Sequence, residues 1–174
     1  MKKTILYLLV FTAATFTATA QKFSDLDKSP MDMIEYPSQG KEKLIRVLYS
    51  RPQLKGRDLN QLTPNGKVWR TGANEATEIT FYTAMKLGET TIPAGSYSLY
   101  TIPNAGEWTV IINTDTHVWG AYGYDQSKDV ARMSVPVSKG KSVEALSMTF
   151  KEDGNTINLF LGWDTLRLAV PFTK

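Results

Sequence analysis

The sequence predicts an all-β fold: a single antiparallel β-sandwich, jelly-roll-like, of about eight strands with two long ordered loops. Three observations predict it. Short runs rich in valine, isoleucine, threonine and aromatics alternate in character and are bounded by glycine, proline and asparagine. No segment carries a sustained apolar stripe at 3.6-residue spacing, so helix is minor. Two connections, 51–76 and 114–129, are far longer than hairpin turns require, yet both are rich in aromatics and glycine.

The first element is not part of that fold. Lys2 and Lys3, the apolar run Ile5 to Phe11 and Ala18-Thr19-Ala20 are the cationic, apolar and small-residue parts of a secretory signal peptide. Cleavage is expected after Ala20, which gives residues 1–20 as signal and 21–174 as one β-sandwich domain. The apolar run is much shorter than the roughly 20 residues of a membrane-crossing helix, so no transmembrane segment is expected after cleavage. The expected location is the periplasm or the extracellular space. The chain has no cysteine, so no disulfide supports the exported product and its core must suffice.

Strands follow in order. Residues 21–40 read as irregular, packing along one edge. Lys43–Ser50 is a β-branched and aromatic run closed by Arg51-Pro52, where proline ends the ladder. Glu78–Ala84 places Ile79, Phe81 and Thr83 on one face. Ser96–Pro103 and Trp108–Asn113 flank the turn signal Asn104-Ala105-Gly106. Met133–Val137, Leu146–Phe150, Thr156–Leu161 and Leu166–Val170 complete the set, with Asp153-Gly154-Asn155 a tight hairpin. Tyr97, Tyr100, Trp108, Phe150, Phe160 and Trp163 are expected in the core or around it.

Charge excludes one class of partner. The chain carries 20 Lys+Arg against 17 Asp+Glu. Loss of Lys2 and Lys3 leaves 20 − 2 = 18 against 17, a net charge of +1 and no nucleic-acid signature. His117 is the only histidine, which with the lack of cysteine leaves too few ligands for a metal site. No phosphate-binding or dinucleotide glycine motif is present, so no cofactor is expected.

Function, if legible, lies in the two long connections. The first contains Arg51, Lys55, Arg57, Lys67 and Arg70, opposed only by Asp58 and Glu75. Arginine forks suit carboxylate and phosphate, so this loop reads either as an anion or sugar-acid site or as a clamp in which the arginines pair with Glu75 and a neighbouring carboxylate. Gly72-Ala73-Asn74 suits a chain reversal, since glycine permits positive φ and asparagine tolerates it. The second loop supplies Trp119, Tyr122, Tyr124 and Asp125, which read either as a sugar-gripping surface or as an aromatic lid.

Five blocks, YSRPQLKGR (49–57), GKVWRTGANEAT (66–77), IPAGSYSLYTIP (92–103), EWTVIIN (107–113) and WGAYGYD (119–125), make the chain resemble the DUF2911 family. After the K-G-R block, where that family's pattern often reads isoleucine-phenylalanine-glycine, this chain has Asp58-Leu59-Asn60. The resemblance implies export and a β fold, and it implies no reaction. From the side chains that the two long loops concentrate, the expected ligand-binding set is Arg51, Arg70, Asn74, Glu75, Trp119, Tyr122 and Asp125, receiving a small polar ligand: a glycan fragment or an anionic metabolite. Two alternatives stand beside it. One is a glycosidase-like hydrolase with Glu75 and Asp125 as the carboxylate pair. The other is an envelope interaction module with flat-packed loops and an apolar patch on a sheet face. Oligomeric state is left open.

Overall fold

The computed structural model describes residues 20–40 and 42–174. The export signal expected at residues 1–20 lies, Ala20 apart, outside them. The described residues form two antiparallel sheets packed face to face. Their strands are β1 (Met31–Tyr36), β2 (Ile45–Ser50), β3 (Thr77–Phe81), β4 (Met85–Leu87), β5 (Thr90–Ile92), β6 (Gly95–Pro103), β7 (Glu107–Asn113), β8 (Asp129–Pro136), β9 (Ser138–Asp153) and β10 (Thr156–Thr173). The larger sheet runs β1-β2-β3-β6-β7-β8 and the smaller β5-β4-β10-β9. Among the described residues helix is confined to one turn, α1 (Leu59–Leu62), and a 3-10 turn at Gln126–Lys128.

The all-β sandwich expected from the sequence is present, with ten strands among the described residues instead of about eight. The differences are local. Met31–Tyr36, expected as irregular chain, is the edge strand β1, in register with β2 from Met31↔Ser50 to Tyr36↔Ile45. The two strands expected at 156–161 and 166–170 are one long strand, β10, whose pairing with β9 shifts around Gly162–Asp164. A bulge takes up the irregularity that reads as a break in sequence. The hairpin at Gly154-Asn155 joins Asp153 to Thr156 directly, Gly154 adopting φ +58°.

Alternation builds the core. Ile45, Val47 and Tyr49 of β2, Ile79 and Phe81 of β3, and Leu99, Val110 and Ile112 of β6 and β7 point between the sheets against Leu159, Leu161, Leu168 and Phe172 of β10. One end is closed by three tryptophans. Trp69 stacks on Trp163 at 5.8 Å and meets Trp108 edge-on at 5.9 Å.

The other face of the larger sheet is treated unequally. On β6 and β7 the outward residues Ser98, Tyr100, Ile111 and Asn113 are buried as completely as the core. They are covered by the chain from 114 to 128, which folds back over them. Tyr124 sets its ring edge-on to Tyr100 at 5.3 Å. The Ser98 hydroxyl donates to the Asp115 carbonyl at 2.6 Å, and the Asn113 amide donates to the Asp125 carbonyl and the Asp129 carboxylate. On β1 the outward residues Met31 and Met33 stay exposed.

Candidate functional site

The stretch from Trp69 to Thr77 is built as a closed excursion. Trp69 continues the line of β3, exchanging backbone hydrogen bonds with Thr101 at 2.7 and 2.9 Å. The chain then leaves the sheet and returns at Thr77, whose N–H donates to the Arg70 carbonyl at 3.0 Å, closing the neck. Inside it the Thr77 hydroxyl donates to the Thr71 carbonyl, and the Thr71 and Thr101 hydroxyls share a bond. The reversal is made by Asn74 (φ +60°), as expected from the sequence, and by Thr71 (φ +55°) in place of Gly72. Gly72 has a different reason to be there. A Cβ on it would lie 3.1 Å from both the Ser50 carbonyl oxygen and the Thr77 hydroxyl. A fully buried β-branched residue held in the left-handed region is strain that the surroundings over-determine, a state that clusters at functional sites.

The tip of this excursion zips to the second loop. The Ala76 N–H donates to the Val118 carbonyl at 2.9 Å, the Gly120 N–H donates to the Asn74 carbonyl at 3.0 Å, and Glu75 pairs with Trp119. Two connections distant in sequence thus form one rim. The ladder has a cavity at each end.

At the 74/120 end a cavity of about 190 Å3 is lined by Val68, Trp69, Arg70, Ala121 and Tyr122. Gly120 shapes it: at φ +71°, a Cβ there would lie 2.7 Å from the Tyr122 ring and 3.6 Å from Arg70 Nη1. The bare Cα therefore lets the tyrosine and the guanidinium converge. Arg70 is half-buried and donates through Nε to the Gly72 carbonyl at 3.3 Å. Among the described residues it makes no ion pair, so the clamp to Glu75 is not formed. Tyr122 and Trp119 are 87 % and 61 % exposed.

At the 76/118 end a groove of about 330 Å3 is lined by Met31, Leu48, Glu75, Ala76, Glu78 and His117. His117, at φ +57°, approaches the Glu78 carboxylate with Nδ1 at 3.4 Å. Glu75 faces this groove and not the cavity that Arg70 lines.

The remaining candidates are committed elsewhere. The Arg51 guanidinium donates to the Leu146 carbonyl (3.0 Å) and the Ser147 hydroxyl (2.8 Å) and pairs with Asp32 at 3.1 Å, tying the larger sheet to β9. Asp125 is exposed and caps the 3-10 turn, accepting from the Ser127 N–H and hydroxyl at 2.9 and 2.7 Å. Those two bonds hold its carboxyl below the ordinary aspartate range. Tyr124 anchors the loop by donating to Asp129 at 2.6 Å while Arg132 donates to its oxygen at 2.9 Å. Burial first, and the bond to the Asp129 carboxylate second, push its pKa up to about 12. Lys128 pairs with Asp115 at 2.9 Å, which raises its pKa. The described residues contain no group of three or more metal-ligating side chains.

The model of a family described as "Protein of unknown function (DUF2911)" matches residues 29–172. The chain belongs to the DUF2911 family. The match spans both sheets and both loops, so the rim and its two cavities are part of the DUF2911 domain. No curated protein and no solved structure matches the chain. Val68 and Ala121 of the Arg70 cavity were not singled out in the sequence, and only their neighbours' chemistry pointed to them.

Proposed function

We propose that this DUF2911 protein is an exported, non-enzymatic binder of a small anionic ligand, a carboxylated sugar or an organic acid, held at the Arg70 cavity. One observation carries the reading. A half-buried guanidinium with no carboxylate partner among the described residues faces an open cavity beside an exposed tyrosine ring. A partly desolvated arginine fork without a counter-ion is an anion receptor, and charge-assisted bidentate bonds are the strongest contacts it can make. Tyr122 adds a face for the ligand's carbon skeleton, and Trp119 extends that surface along the rim.

The hydrolase alternative draws no support from this geometry, since Glu75 faces the opposite groove and Asp125 is spent as a cap. The interaction-module alternative is favoured by one observation, the exposure of Met31 and Met33 on the outer face of β1. Calorimetric titration with glucuronate, gluconate, citrate and inorganic phosphate tests the preferred reading. At least one should bind, and Arg70→Ala should weaken it by about tenfold or more, roughly 1.4 kcal/mol. Binding that ignores Arg70→Ala, or none at all, refutes it. Export is tested by finding a chain that starts at Gln21 outside the cytoplasm.

A further inference from the structure

Away from the rim, a cleft of about 400 Å3 opens where α1 and the residues after it face the β6–β7 turn. That volume lies within the roughly 300–1,000 Å3 of small-molecule sites. Asn60 and Asn65 stand on one wall and Asn104 on the other, with Leu59, Trp108 and Leu166 among the apolar lining. No Lys, Arg, Asp, Glu or His lines it, whereas the cavities at Arg70 and Glu75 both carry charge.

The walls are fixed before any ligand arrives. The Gly66 N–H donates to the Pro103 carbonyl at 2.8 Å, and the Val137 N–H donates to the Gly106 carbonyl at 2.9 Å. Asp58 caps α1 through the Asn60 N–H, and the Thr63 hydroxyl closes it on the Leu59 carbonyl. Binding therefore orders little chain, which is where affinity for small ligands is commonly lost. The three carboxamides, by contrast, are exposed and make no side-chain hydrogen bond among the described residues.

We infer that this cleft binds a neutral polyhydroxylated ring, a sugar residue without charge. Each carboxamide presents a donor and an acceptor from one planar group, the combination that adjacent hydroxyls require. The apolar lining suits the C–H face of such a ring. With no counter-charge in the walls, an ion gains nothing there to offset its desolvation. The site is independent of the Arg70 cavity, although the two share a wall: Trp108 meets edge-on the Trp69 that lines the other.

The test is titration of the purified full chain with methyl glucopyranoside, methyl galactopyranoside, cellobiose and lactose. It is followed by calorimetry and by backbone amide shifts of Asn65 and Asn104. At least one neutral sugar should bind with a Kd on the order of 1 mM or tighter. The Asn60→Ala/Asn104→Ala double variant should lose about tenfold or more of that affinity. Because both side chains are exposed and unpartnered, this variant should melt with the parent, and Arg70→Ala should bind the neutral sugar unchanged. No binding by any of the four sugars overturns the inference. So does binding that survives the double substitution, or binding that vanishes with Arg70→Ala.

Discussion

Arg51 and Arg70 stand near the two ends of one long connection, and the sequence offers no reason to rank them. The structure separates them completely. Arg51 is committed: each of its three nitrogens donates, to two neutral acceptors on β9 and to the Asp32 carboxylate, and it ties the larger sheet to β9. Arg70 has one backbone bond and faces a cavity. A guanidinium's role depends on which acceptors the topology brings within reach, and those acceptors lie about 95 residues away in sequence, as Leu146 and Ser147 do from Arg51.

Substitution breaks this comparison most sharply at Arg51. Arg51→Ala strands the Leu146 carbonyl and unpairs Asp32. Hydrogen bonds to charged groups contribute about 1.5–3 kcal/mol and exposed ion pairs about 0–1 kcal/mol. With a third of the side chain exposed, a net loss of about 2–3 kcal/mol is expected, read as a lower urea midpoint at unchanged slope. Arg70→Ala should lie within about 0.5 kcal/mol of the parent. Equal losses in the two variants would erase the distinction between clamp and receptor.

Next in size is a pair of glycines in the second loop. Gly120→Ala must accept φ +71° and pushes a methyl to within 2.7 Å of the Tyr122 ring. About 1–2 kcal/mol of destabilisation is expected, together with loss of anion binding as the ring is displaced. Gly123→Ala has an open site and no positive φ, so it should change neither. If both variants bind the anion like the parent, Tyr122 does not wall the site.

Much of this was readable in advance. Alternation gave the inward face of β3 at Ile79 and Phe81 and the pattern of β6, and the unusual length of two connections pointed to the rim. Thr83, expected on the same face, lies past the end of β3 and is exposed. What escaped has a physical reason. β1 lies at an edge and keeps two methionines in solvent, so its pattern is weak. β10 carries a bulge at Gly162–Asp164 that reads as a turn. The lid over β6 and β7 does leave a trace in the sequence. Val110-Ile111-Ile112 is apolar on both faces, which an antiparallel strand needs only when something covers its outer side. Gly72 looked like a conformational glycine, and the Ser50 carbonyl that excludes its Cβ could not be seen from sequence.

The lid and the uncovered half of the sheet should also part company at high pH. Tyr124 keeps its proton to about 12 in the folded chain, above the ordinary 10.0. Between those values the unfolded chain releases that proton first, so the stability the group contributes is present below pH 10 and drains as pH rises towards 12. Thermal melts from neutral pH upward should fall, and Tyr124→Phe should fall less steeply while starting lower. An identical slope in the variant would mean the decline belongs to the other raised tyrosines, Tyr36, Tyr49, Tyr97 and Tyr100.

The smallest expected effect separates the two ends of the ladder. Glu75 is exposed, pairs only its backbone with Trp119 and lines the groove that Arg70 does not share. Glu75→Gln keeps size and backbone, so stability should stay within about 0.5 kcal/mol. Anion affinity at the Arg70 cavity should hold or rise slightly, because one negative charge leaves the rim and screening limits its reach to about 10 Å at ordinary salt. A drop in anion affinity would place the Glu75 carboxylate on the ligand itself, and the ladder would then carry a single site with two walls, where the structure has two cavities back to back. The direction of that small change, measured against salt, decides between them.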